Sequence, residues 1–136
     1  MRYNHAGYLT YELPDGWKTD ESDDGLSMYD PDGNGALTVS FFNRVDSNTH
    51  LNVQVSVLAK NFFECNNIKL NNSFILLNKD EKTVLFGIGK TADNWFIKLW
   101  VVAENPKIVL ATYQSEQENP EVELCDAIVD SFKFEL

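Results

Sequence analysis

Cys65 and Cys125 are the only cysteines in the chain. Their spacing fits no metal-ligand pattern. Both fall near apolar residues of expected helices, so buried free thiols are expected rather than a disulfide. Basic clusters are missing as well. Against 21 acidic residues stand 11 basic ones, a formal charge of −10, and the lysines are scattered. Such a chain repels nucleic-acid phosphates and anionic lipid, which excludes nucleic acid and membrane surfaces as expected partners. No apolar run reaches the roughly 18 residues of a membrane-crossing helix. Met1-Arg-Tyr-Asn-His-Ala-Gly7 lacks the apolar core of a signal peptide, so the expected compartment is the cytoplasm. No phosphate loop, dinucleotide fingerprint or other cofactor motif occurs, and no cofactor is expected. His5, expected in a frayed terminus, and His50, expected at a helix start, form no recognisable motif with a reactive serine or cysteine.

The chain does contain enough apolar material for a sizeable core. Its 136 residues are 43% hydrophobic and 12% aromatic, which points to a single domain over 1–136. The densest stretch is Trp95-Phe-Ile-Lys-Leu-Trp-Val-Val-Ala103. Read as a strand, it places Trp95, Ile97, Leu99 and Val101 on one row and Phe96, Trp100 and Val102 on the other. Only Lys98 interrupts. A strand apolar on both rows must be covered on both faces, which predicts a central strand with helices or loops packed on each side.

The remaining elements are arranged around it. Tyr8–Leu13 alternates as a half-buried strand, and Pro14-Asp-Gly16 ends it with turn chemistry. Trp17 follows as an anchor over the core, then Asp20–Gly25 as an acidic solvated loop. Leu26–Asp30 and Ala36–Asn43 form a hairpin across the turn Pro31–Gly35. Residues 51–58 fit two templates. Leu51, Val53, Val55 and Val57 alternate as in a strand, yet Leu51, Val55, Leu58, Ala59 and Phe62 make a helical stripe. Length and the candidate caps Ser47, Asn48 and Thr49 favour helix. Phe74–Leu77, Thr83–Gly89, Trp95–Ala103 and Ile108–Gln114 are then four strands joined by hairpins, after breaks at 66–67 and 71–72. Gly87 and Gly89 inside a strand signal a bulge or a close packing contact. Asn119 and Pro120 open a final helix, with Val122, Cys125, Ile128, Val129 and Phe132 inward and Asp126 and Asp130 outward.

This order goes with specific residues: Leu13-Pro-Asp-Gly-Trp17, Tyr29-Asp-Pro-Asp-Gly-Asn-Gly-Ala-Leu-Thr-Val-Ser40 and Ile128-Val-Asp-Ser-Phe-Lys-Phe134. Together they resemble the PsbP-like superfamily, which includes the photosystem II extrinsic subunit, a Ran-binding nuclear import factor and small bacterial DcrB-like proteins of unknown function. The resemblance implies an α+β fold, an α/β/α sandwich around an antiparallel sheet of about six to seven strands with helices packed on both faces. It implies no shared catalytic residues, because its members bind proteins in unrelated settings.

Two stretches invite chemistry. Asp30, Asp32 and Asn34 match the first half of a calcium loop, but Phe41 stands where a bidentate glutamate is needed, and a plain hairpin turn explains the same residues. Asp20, Glu21, Asp23 and Asp24 offer a site for a cation or a basic partner, though an exposed charge run is ordinarily a solvated loop. The surplus of rings (Tyr3, Tyr8, Tyr11, Trp17, Tyr29, Phe41, Phe42) suggests an anchor patch lined by Trp17 and Tyr29. The expected function is therefore a non-enzymatic protein-binding module, an adaptor or chaperone-like factor. The alternative is a small hydrolase or metal-binding protein using the acidic loops. The partner is expected to be another protein, and the oligomeric state is left open.

Overall fold

Phe96–Glu104 is the strand around which the sheet is built, and only the last of its nine residues reaches solvent appreciably. The computed structural model containing it describes residues 2–5, 8–22, 25–44, 48–79 and 81–135. In chain order the elements are β1 (Arg2–His5), β2 (Leu9–Glu12), β3 (Lys18–Ser22), β4 (Gly25–Tyr29), β5 (Ala36–Asn43), α1 (Leu51–Cys65) and β6 (Lys69–Lys79). They continue as β7 (Lys82–Lys90), β8 (Phe96–Glu104), β9 (Lys107–Ser115), α2 (Glu121–Asp130) and β10 (Lys133–Phe134). Seven strands form one sheet in the order β3-β4-β5-β9-β8-β7-β6, and β1-β2-β10 form a smaller one. Every pairing is antiparallel. The fold is α+β.

The two rows of β8 enter different clusters. Leu99, Val101 and Ala103 pack with Val55, Ala59 and Phe63 of α1. Phe96, Trp100 and Val102 pack with Val122, Cys125, Ile128 and Val129 of α2 and with Leu9 and Tyr11 of the small sheet. Burying a large apolar side chain contributes about 1.5–3 kcal/mol, so this doubly buried strand ties both clusters to one backbone. Trp95 is an exception to the expectation. It lies outside the strand, 38% exposed, in a turn where its N–H donates to Thr91 Oγ1 at 3.0 Å.

The ambiguous segment is helical. Val55, Ala59 and Phe63 are buried while Val53 and Val57 are exposed, so the alternation of 51–57 does not govern the backbone. The cap is His50, whose Nδ1 accepts the Asn52 N–H at 3.1 Å, and not Asn48 or Thr49. Ser47 lies outside the described residues. At α2, Asn119 caps as expected, its Oδ1 accepting the Glu121 N–H at 2.9 Å.

Other expectations need correction. The terminal segment with His5 is paired as β1, where the His5 ring stacks on Phe41 at 4.6 Å. The acidic stretch 20–22 belongs to edge strand β3, exposed at every residue, whereas Asp23 and Asp24 lie outside the described residues. A strand that buries nothing carries no alternating signal. The break at 71–72 is an irregularity inside β6, with Asn72 at φ 59°, rather than its start. Cys65 is exposed at the end of α1, although Cys125 is buried, and both are free. Gly87 and Gly89 mark close packing: a Cβ would sit 2.5 Å from the Phe74 ring and 2.6 Å from the Lys69 carbonyl oxygen, respectively.

Candidate functional site

Alternate residues of β7 divide between two environments. Thr83, Leu85, Gly87 and Gly89 are buried, whereas Val84, Phe86 and Ile88 are only half-buried beside the α2 cluster. In the register with β6, Ile75 stands opposite Phe86 and Leu77 opposite Val84. Ile75 is 48% exposed and Leu77 52%. The five side chains form an apolar margin that runs from Val84, Phe86 and Ile88, packed against the core, to Ile75 and Leu77 in solvent.

The placement of α2 leaves this margin open. Asp126, expected to face outward, turns to the sheet instead. Its Oδ1 accepts from Lys98 Nζ at 2.8 Å and from Trp100 Nε1 at 3.0 Å. The Lys98 ammonium also lies 5.0 Å from the Phe86 ring centroid, a cation–π distance. These contacts fix the helix edge along β8 and stop it short of β7. At one end, a groove of about 650 Å³ separates Val84 and Lys82 from Val129 and Asp130. Lys82 Nζ donates to Phe132 O, and burial lowers the lysine pKa.

A different uncovered part of the sheet provides the contrast. On β4 and β5, the row opposite Leu26, Met28, Leu37 and Val39 carries Ser27, Thr38 and Ser40 at its centre, with Tyr29, Ala36 and Phe42 toward its ends. Polar residues are what an open strand ordinarily presents to water. The β6–β7 margin presents isoleucine, leucine, valine and phenylalanine.

The residues expected to form a site lie elsewhere. Trp17 is 8% exposed and belongs to the core, and Tyr11 is buried with it. Tyr29 is half-buried on β4, opposite Lys18 of β3; hydrogen bonding to Asp20 raises its pKa. Tyr8 and Phe41 pack at the core boundary, and Tyr3 and Phe42 are exposed. The rings therefore do not meet in one patch with Trp17 and Tyr29.

Asp30, Asp32 and Asn34 form a turn tied to α2. Asp30 Oδ1 accepts the Asp32 N–H at 3.0 Å. The N–H groups of Asn34 and Gly35 donate to the Glu121 carboxylate at 3.3 and 3.1 Å, and Tyr113 Oη donates to it at 2.8 Å. Burial, with Glu121 beside it, pushes the Tyr113 phenol up to about 12. Glu121, only 8% exposed, thus satisfies the loop's backbone donors. Among the described residues no three His, Cys, Asp or Glu side chains cluster in a way that could hold a metal.

The sequence supplied one signal for this margin. Phe74-Ile-Leu-Leu77 does not alternate, and an edge strand with no alternation exposes apolar residues whichever row is covered.

The architecture defines a PsbP-like fold. A solved structure it resembles is cyanobacterial PsbP (CyanoP) from Synechocystis sp. PCC 6803, with a TM-score of 0.76 and 15% identity over 98% of this chain and 91% of that one. No family model matches the chain. No curated protein matches it either. Among the described residues no helix is long and apolar enough to cross a membrane.

Proposed function

We propose that this chain is a non-enzymatic, cytoplasmic protein-binding module that holds its partner on the open margin of β6 and β7. The observation that carries this reading is the half-open row of Ile75, Leu77, Val84, Phe86 and Ile88. Five apolar side chains in contact with water cost free energy that docking recovers, at roughly 25 cal/mol per Å² removed from solvent. The Phe86 ring is the natural anchor, being aromatic, central and already held by Lys98. The likeness to cyanobacterial PsbP supports the fold and leaves the partner unnamed. In the same reading, the two clusters are one helix layer on each face of the large sheet, and the absent layer over β6 and β7 is where a partner completes the sandwich.

The test is affinity capture from the source cell with the wild type and a Leu77→Asp variant. A stoichiometric protein recovered by the wild type and lost by the variant, with thermal stability unchanged, supports the reading. Capture of the same protein by both, or of none by either, overturns it.

A further inference from the structure

The large sheet has two ends, and they are built differently. At one end β3 is five residues long, carries Asp20 and Glu21, and buries nothing. Short, charged edge strands are how proteins block strand-to-strand pairing. At the other end β6 runs eleven residues, carries no acidic residue, and among the described residues has β7 as its one neighbour in the sheet. Its regular stretch holds Ile75, Leu76 and Leu77 at 48%, 37% and 52% exposure, apolar on both rows. One end is blocked and the other is open.

From this we infer that β6 pairs antiparallel with β6 of a second copy of this chain, joining two large sheets edge to edge about a two-fold axis at Leu76. The sequence of β6 is self-complementary in that register. Leu76 opposes Leu76 of the other copy, Ile75 opposes Leu77, and Lys79 opposes Ser73. No lysine faces a lysine, a pairing that is destabilising directly across strands. The axis passes through a residue pair, so each face of one sheet continues as the same face of the other.

Charge favours the same end. Two copies each carrying −10 repel at most approaches. At physiological ionic strength that repulsion is local, screened over about 8 Å. β6 and β7 together contain Lys69, Lys79, Lys82 and Lys90 and no acidic residue, and the acids nearby are Asp80 and Glu81 between the two strands in sequence and Glu104, Asp130 and Glu118 alongside, so four positive charges stand against five negative ones where the chain as a whole has 11 against 21. This is the end at which an acidic chain can meet itself. Contact by a strand edge is small among stable interfaces, so a concentration-dependent dimer follows.

This pairing uses the backbone edge, the Leu76 pair and the Ile75–Leu77 pairs, whereas partner capture uses the Ile75, Leu77 and Phe86 face alone; Leu76 lies on the other row, so Leu76→Lys separates the two. The pairing is tested on the purified chain alone, so either idea can fail without the other.

Sedimentation from about 1 µM to about 1 mM covers the range in which such a contact dissociates. The expected result is a monomer–dimer equilibrium that Leu76→Lys weakens at least ten-fold. Leu76→Cys in a Cys65→Ser background is expected to form an intermolecular disulfide under mild oxidation, because residues facing each other across strands bring their Cβ atoms to about 5 Å. Thr19→Cys in β3, in the same background, is expected to form no intermolecular disulfide, because β3 lies at the other end of the sheet. A monomeric mass throughout the range, with the edge then free or kept for another chain, overturns the inference. So does a dimer indifferent to Leu76→Lys, or one that Leu76→Cys fails to cross-link.

Discussion

Glu121 and the two cysteines show how much depends on where a single side chain ends. Glu121 accepts from Tyr113, Asn34 and Gly35 within a nearly closed space. Removing it leaves buried donors without an acceptor, which costs about 1–3 kcal/mol. Glu121→Ala is expected to lower the unfolding free energy by that amount in urea titration, and Glu121→Gln, which keeps one acceptor oxygen, by less. The cysteines separate by exposure. Cys125 is buried, and burial pushes its thiol up to about 12, while Cys65 is exposed. A thiol reagent at neutral pH is expected to modify Cys65 within minutes and Cys125 only on unfolding, since the thiolate is the nucleophile.

Among the elements, β7 depends most on missing atoms. A Cβ at Gly89 would meet the Lys69 carbonyl oxygen at 2.6 Å, a backbone atom that a rotamer change cannot move. Gly89→Ala is expected to destabilise by about 1–3 kcal/mol, the usual range for overpacking, read as a lower midpoint with an unchanged denaturant slope. Glycines at alternate positions were legible as a sign of close contact, because few other causes place glycine inside a strand. Also legible were β8, from apolar residues on both rows, and α2, from its cap and stripe. In α1 the helix was legible through length, against a competing alternation whose outer residues, Val53 and Val57, turned out exposed. Less could be read at the edges. β1 and β3 bury no side chain, and β10 gains its partner, β2, from the opposite end of the chain. The open margin was obscured because pattern reports which residues are apolar and not which of them a helix reaches. That limit is set by Asp126, whose bonds to Lys98 and Trp100 depend on tertiary placement.

At the scale of the whole molecule, stability should fall on the alkaline side. The Cys125 thiol goes from 9.0 to about 12 and the Tyr113 phenol from 10.0 to about 12, chiefly through burial. Between those values the folded chain keeps protons that the unfolded chain has released. Each such group therefore favours the folded state below its ordinary pKa and loses that contribution as pH rises toward 12. The slope is about 1.4 kcal/mol per pH unit for each retained proton. Unfolding free energy is expected to decline from about pH 9 upward, and Cys125→Ala to make the decline shallower whatever its effect on stability at neutral pH.

The bond from Gly35 to Glu121 has a kinetic consequence. It spans the chain from the tip of the β4–β5 hairpin to the first turn of the last helix. That amide can exchange its hydrogen only when the C-terminal helix lifts or the hairpin tip swings away. Its exchange rate is thus a natural clock for how often the far end of the polypeptide lets go of the rest.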